Sequence, residues 1–600
     1  MTDATLLPDA EAPDAEATEA TRSADAPALP SGFAMRRDGL YWFPPEDDAP
    51  PLQVCGPLTV AALTHDGEGR DWGALLQWLD GDGRAHEWAM PRAMLAGDGT
   101  ELRAHLLSRG LFVAPGRRAR ERLAEYLMRS APAARVRVVG RLGWHVGADG
   151  RRVFVLPDET LGPPGAERVM VQTERPEALP PLRRAGALAD WQRAVAAPAV
   201  GNSRLAFAIG VALAAPLLGL LDAEGGGFHL RGPSSSGKST ALHAAGSVWG
   251  GGGLRGWARS WRSTDNALEA VAAAHNDLLL CLDELGECEP EAAAAAAYML
   301  ANGCGKGRAA RDGGARRAAE WRTLFLSSGE VGLGDRLAEA RGGPRRLRAG
   351  QEVRVLDIPA EAGPHGLFET LHGHASGAAL ADALREATRR CYGTAGRAWL
   401  AVLAADPEGS AAQARGVVDA FLRKYLPAKA GGQARRAAGR FALVAAAGEL
   451  AIGAGILPWP PGEASGAAAA CFKAWVAARE AGAGSAEDAQ ALARVRQFLI
   501  AHGASRFETV GEGGEPSGER IVNRAGWRKR GDDGQWRFWI ATETWRGEVC
   551  AGLDPQAAAR ALLRRGFIVA GEGGRLTQKP RIPGLGPTRV YVVRADILAE

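Results

Sequence analysis

The stretch Gly232-Pro233-Ser234-Ser235-Ser236-Gly237-Lys238-Ser239-Thr240 has the spacing GxxxxGK[ST]. Its two glycines let backbone N–H groups turn inward around an anion. Lys238 then supplies a point charge for β- and γ-phosphates, and Ser239 a hydroxyl for Mg²⁺. A second landmark is Leu278-Leu279-Leu280-Cys281-Leu282-Asp283-Glu284. It is an apolar run that ends in two acids about 45 residues after the lysine. Asp283 would reach the metal, and Glu284 would orient and deprotonate an attacking water. A third run, Trp321 to Glu330, ends in Ser327-Ser328. Either hydroxyl is a candidate sensor that holds the lytic water beside a γ-phosphate. The chemistry implied is hydrolysis of ATP with Mg²⁺, and the catalytic set expected is Lys238, Glu284, Ser328 and Ser327.

Cations cluster around these landmarks. Residues 303–317 carry Lys306, Arg308 and Arg311 on arms flanking Asp312-Gly313-Gly314, a hairpin-turn signal. A basic hairpin there could project into the pore of a ring and contact nucleic-acid phosphates. A solvated basic loop fits equally well, and a third reading has one of these arginines complete a neighbour's ATP site. Arg336, Arg341, Arg345 and Arg346 follow as candidates for an arginine acting in trans on developing γ-phosphate charge. Arg435 and Arg440 could reach nucleotide from a lid, or could be ordinary helix-surface cations.

The elements that must position these groups follow from hydrophobic pattern. Gly227 to Arg231 reads as a strand before the loop, and Ala241 to Ala245 as the helix whose positive end faces the anion. An apolar run buried on both faces is what a central parallel strand looks like, and its C-terminal end is where such sheets hold ligands. The acid strand is expected beside the loop strand. Leu205 to Leu221 is too short for a bilayer span, is interrupted by Pro216 and Gly219, and reads as a buried helix packed on the sheet. The fold class is therefore α/β: a P-loop NTPase core of the AAA+ or RecA-like kind, with a parallel sheet and flanking helices. The boundaries read are 1–30, an acidic tail without a core; 31–186, an α+β domain; 187–365, the ATPase core; 366–482, a helical lid region; and 483–600, a winged-helix-like domain. In the second of these, Trp42, Trp72, Trp78, Trp88 and Trp144 either fill cores or stack bases. In the last, Arg560, Arg564, Arg565, Lys579 and Arg581 make a locally basic helix and wing.

Bulk properties exclude some readings. Of 600 residues, 46% are hydrophobic and 24% charged, so several packed cores can form. The net charge of +3 carries no argument for nucleic acid, and any basic surface is local. The seven cysteines form no CxxC pair, which suits free thiols in a reducing cytoplasm. The first residues lack a basic-then-apolar secretory pattern, and no membrane partner is expected.

The chain resembles a bacterial family known as domain of unknown function 927. The residues that carry the resemblance are Trp261-Arg262-Ser263-Thr264-Asp265-Asn266-Ala267-Leu268-Glu269, Asp283-Glu284-Leu285, Ala301-Asn302-Gly303 with Gly305-Lys306, Leu326-Ser327-Ser328-Gly329-Glu330, Tyr392-Gly393-Thr394-Ala395-Gly396 and Arg440-Phe441-Ala442-Leu443. The resemblance spans roughly 31–600. It implies a replicative helicase-like ATPase of phages and integrative elements, acting on single-stranded or forked DNA. It also implies a homo-oligomeric ring, a hexamer among the sizes considered, with a primase or another replication protein as partner. Two other classes remain open from the residues: a nucleotide-switched assembly or regulatory ATPase that does not translocate, and a P-loop phosphotransferase, for which no compact acceptor pocket can be read.

Overall fold

The computed structural model describes residues 28–46, 49–173, 179–253, 256–309, 315–316, 318–338, 353–479, 486–511, 521–582 and 585–599. The acidic tail expected over 1–30 lies almost wholly outside them. The N-terminal part holds a mixed five-stranded sheet, two antiparallel three-stranded sheets and the helices Thr100–Ser108 and Arg117–Arg129. Four of its tryptophans are core: Trp42, Trp78, Trp88 and Trp144 are all under 8% exposed. Trp72 alone of the five is open, at 43%.

The ATPase core begins with α1 (Ser203–Ala214), every residue of which is buried. The apolar run read as one helix is two, because Pro216 starts a second over Leu217–Leu221. Then come β1 (Gly226–Arg231), α2 (Lys238–Ser247), β2 (Arg259–Ser260), α3 (Asp265–Ala274), β3 (Leu279–Asp283), α4 (Pro290–Asn302), β4 (Leu324–Gly329), α5 (Leu333–Ala338) and β5 (Val355–Pro359). The hydroxyl of Thr264 caps α3 by accepting from Ala267 N at 3.4 Å. All five strands are parallel, in the order β2-β3-β4-β1-β5. The acid strand β3 is therefore not the neighbour of β1, as expected from sequence. The strand ending in Ser327-Ser328 lies between them. The pleat divides the sheet's side chains: Leu279, Cys281, Leu324 and Leu326 join a core with α1 and α2. Leu280, Leu282 and Phe325 join another with α3 and α4.

Two long helices, α6 (Gly432–Gly453) and α7 (Glu463–Ala477), pack on α1 and extend the same core. That core also takes in Leu142, Trp144, Phe154 and Leu156. The N-terminal region thus divides between its own core and the ATPase core, rather than ending as a separate domain at residue 186. The seam is polar and buried. Asp277 Oδ2 accepts from Trp144 N at 2.9 Å, and its Oδ1 from Arg322 Nε at 3.1 Å. Gly143 sits in the left-handed region there at φ 98, and a Cβ on it would lie 2.3 Å from Asp277 Oδ2.

The last part consists of α8 (Ala486–His502), β6 (Phe507–Thr509), β7 (Gly526–Arg530), β8 (Trp536–Ala541), α9 (Pro555–Arg564) and β9 (Val590–Arg594). The four strands form one sheet in chain order. α9 is followed by a small antiparallel pair, Arg581–Ile582 with Gly586–Pro587, but the hairpin β7–β8 precedes α9, so the unit is larger than the winged helix read from sequence. Among the described residues no helix is long and apolar enough to cross a membrane. All seven cysteines are free thiols.

Candidate nucleotide site

The loop between β1 and α2 is held at both ends. Gly232 N donates to Gly329 O at 3.2 Å, and Leu367 N to Ser236 O at 2.8 Å. Ser235 at φ 62 and Gly237 at φ 98 give it a left-handed bend. The first bond into α2 is Ala241 N to Gly237 O, 3.1 Å. The N–H groups of Lys238, Ser239 and Thr240 before it stand at the helix's positive end, a donor set suited to an anion. Lys238 is 6% exposed, and its ammonium donates to Gly232 O at 2.8 Å and Pro233 O at 2.6 Å.

The acids meet this loop from β3. Ser239 Oγ donates to Asp283 Oδ1 at 3.2 Å, and Ser328 Oγ donates to the same oxygen. Hydroxyl and carboxylate oxygens at this spot are the ligand chemistry of a hard divalent cation. Glu284 N donates to Ser328 Oγ at 3.4 Å, so one serine joins both acids. Glu284 adopts φ 58, a conformation a non-glycine residue takes only under local constraint. Its Oε1 accepts from Gly286 N at 3.3 Å. The carboxylate therefore caps its own loop.

The two sensor candidates are separated by the pleat. Ser328 shares the α2 face with Asp283, whereas Ser327 faces the α3–α4 side, fully buried. Trp261 Nε1 donates to Ser327 Oγ at 2.7 Å. His229 Nε2 lies 3.0 Å from Val331 O, which can only accept, so the proton is on Nε2. Nδ1 then accepts from Ser327 Oγ at 2.9 Å. That network leaves Ser327 no hydroxyl proton for a nucleotide, and its role is to tie β1, β4 and the segment after β2 together. Burial pushes the His229 pKa down to about 4, below the ordinary 6.5. The unfolded chain then binds a proton between these values that the fold does not, so stability falls as pH drops through that window. Between pH 7 and 5 the loss from His229 should be roughly 2 kcal/mol. Urea titrations at the two pH values should show it, with a shallower dependence in His229→Gln; an equal dependence in that variant would show that His229 does not stay neutral.

The arginines fall in different places. Arg336 donates from Nε to Cys288 O at 3.0 Å and from Nη2 to Gly286 O at 3.0 Å, within its own chain. Arg341, Arg345 and Arg346 lie outside the described residues. Arg435 is exposed on α6. Arg440, read from sequence as a lid arginine or an ordinary helix-surface cation, is instead buried at the far end of the sheet. Its Nη1 donates to Arg354 O at 3.0 Å, and a Cβ on Gly226 would lie 2.4 Å from that nitrogen. Gly226 starts β1, so Arg440 stands about 17–20 Å from the phosphate loop. Burial lowers its pKa to about 10. The expected hairpin forms, with Arg308 opposite Arg316 and Ala309 opposite Ala315. Its turn and Arg311 lie outside the described residues, and Lys306 is exposed at its base. Sequence reasoning missed the roles of Trp261 and His229 in bracing β4 and of Arg336 in bracing the acid loop. Trp261 was legible only as part of a family-like string.

Residues 33–320 match the family described as Domain of unknown function (DUF927). The strings from Leu326 onward that contributed to the sequence resemblance lie beyond that match. No curated protein matches the chain by sequence. Among solved structures the chain is similar to one named SCCmec type IV Cch, an active helicase. The TM-score is 0.70 at 17% identity, covering 95% of this chain and 99% of that one. The likeness at that identity is one of fold.

Proposed function

We propose that this chain, which carries the domain of unknown function 927 over residues 33–320, is an Mg-ATP-dependent motor on DNA that works as a ring of subunits. The observation that carries the reading is the convergence of Lys238, Ser239, Asp283 and Ser328 at the C-terminal edge of one parallel sheet. The fold shared with a protein named as an active helicase supports it. Lys238 and the N–H groups of the loop would hold the β- and γ-phosphates. Ser239 and Asp283 would hold Mg²⁺, which when bound neutralises charge shared between those phosphates. Ser328 positions Asp283 and the Glu284 backbone, and Glu284 takes the proton of the attacking water. Arg341, Arg345 or Arg346 would reach a neighbouring subunit's site. The hairpin with Lys306, Arg308 and Arg311 would contact the translocated strand.

The test is the ATPase rate with and without single-stranded DNA. The wild type should be stimulated, and Lys306→Ala/Arg308→Ala/Arg311→Ala should lose the stimulation while keeping its basal rate. An unstimulated wild type without salt-dependent DNA binding would point instead to a nucleotide-switched assembly ATPase.

A further inference from the structure

The register of the C-terminal sheet brings three cations into one row. Lys529 on β7 pairs with Arg537 on β8, and Arg537 pairs with Arg594 on β9. Directly paired residues of antiparallel strands share a face, with Cβ atoms about 4.5–5.5 Å apart. Like charges so placed repel, and a sheet stabilised only by its own contacts would avoid them. Among the described residues the acid paired with the row is Asp533, 3.2 Å from Arg537 Nη2 and half-exposed at the turn beside Asp532. Lys529 and Arg594 have no ion pair among the described residues.

The next row on the same face is Trp527, Trp539 and Val592. Trp539 is partly open against the small cluster of Val510, Trp527, Ile582, Val590 and Val592. Trp527 is 5% exposed and belongs to that cluster's core, so Trp539 is the indole of this row that a ligand can reach. On the opposite face the same end of the hairpin carries Arg528 and Arg530, each 5.2 Å from the Trp536 ring centre. The neighbouring Arg524 is paired with Glu508. This edge is rich in donors and in open indole, and poor in acceptors.

We infer that this face of the C-terminal sheet is a second nucleic-acid contact, which holds a single strand by its phosphates on Lys529, Arg537 and Arg594 and stacks a base on Trp539. Cations interleaved with aromatic faces are what a strand-tracking surface needs, because phosphates recur along the strand and every base has a π-face. A duplex would present its phosphates to the cations and keep its bases out of reach of the indole. The inference rests on the reading of this chain as a DNA-acting protein. It is separate from the basic residues of α9 and from the hairpin at 308–316.

The experiment uses the full chain and fluorescein-labelled oligo-dT of about thirty nucleotides, read by anisotropy over a salt series. Lys529→Glu/Arg594→Glu should bind at least about tenfold more weakly, and its log–log salt slope should be shallower by about 1.4, for two lost contacts. The basal ATPase rate should be unchanged, which reports that the chain is folded. If the double charge reversal perturbs that rate, Lys529→Ala/Arg594→Ala serves in its place and should show the same smaller slope. Wild-type affinity and slope in the variant overturn the site and leave the motor reading standing. A wild type that binds no DNA overturns both. A variant that loses duplex binding and keeps oligo-dT overturns the single-strand assignment.

Discussion

Glu284→Gln should bind Mg-ATP as tightly as the wild type and hydrolyse it ~10²–10⁴-fold more slowly. The substitution keeps shape and one oxygen but removes the carboxylate proposed to accept the water's proton. Asp283 is a poor substitute, because its Oδ1 already accepts from Ser239 Oγ at 3.2 Å and from Ser328 Oγ and its carboxylate is the one proposed to face the metal. Ground-state binding is carried by the loop and Lys238, so affinity should not move. The constrained backbone of Glu284, φ 58, is retained by the amide, and the cap on Gly286 N at 3.3 Å can still form through the remaining oxygen. Single-turnover hydrolysis together with nucleotide titration separates the two effects. Normal turnover would assign the base elsewhere, and lost binding would show that the carboxylate shapes the pocket.

What the sequence made legible was what is local along the chain. The phosphate loop, its helix, the acid strand and the hairpin are each continuous segments with their own pattern, and each forms where the pattern placed it. What it concealed depends on partners far along the chain. That β4 enters between β1 and β3 is a matter of pairing, and nothing in an apolar run states its neighbour. Ser327 and Ser328 differ only in pleat phase. The phase becomes readable once Phe325 is known to pack with α3 and α4 while Leu326 packs with α1 and α2. Arg440 lies on a helix whose sequence resembles an amphipathic lid, and only the fold shows that its guanidinium serves the opening of β5. The row Lys529, Arg537 and Arg594 spans three strands, so no window of sequence contains it.

The arginine after β4 illustrates how placement decides role. Arg336 binds two carbonyls of the loop that begins at Glu284, while Asp335 pairs with Arg231 at 3.1 Å, the residue before Gly232. The short helix α5 is thereby fastened to the acid loop and to the phosphate loop of its own chain. A group already spent on its own carbonyls makes a poor finger for a neighbour. The same bracing joins the two chemical loops through one short helix, so that a displacement of α5 would reach both.

Lys238→Ala should lower ATP affinity on the order of 10²-fold or more. Lys238 is 6% exposed and its ammonium donates to Gly232 O at 2.8 Å and Pro233 O at 2.6 Å, so its stem is fixed along the loop and its charge sits at the loop's mouth. Each charge-assisted bond to a phosphate contributes roughly 1.5–3 kcal/mol, and two such bonds account for the loss. The fold should tolerate the change: Gly232 and Pro233 lie at an open loop where water can replace the ammonium. Lys238→Arg should not rescue, because a planar fork does not reproduce a compact charge enclosed by two carbonyls. The expected signature is a larger loss for ATP than for ADP, since a lysine that spans the β- and γ-phosphates loses one contact with ADP in any case. Calorimetric titration of both nucleotides with Mg²⁺ measures the difference. Equal losses would place the charge at the β-phosphate alone, and unchanged affinity for both would remove Lys238 from the site and with it the reading of this loop as a phosphate cradle.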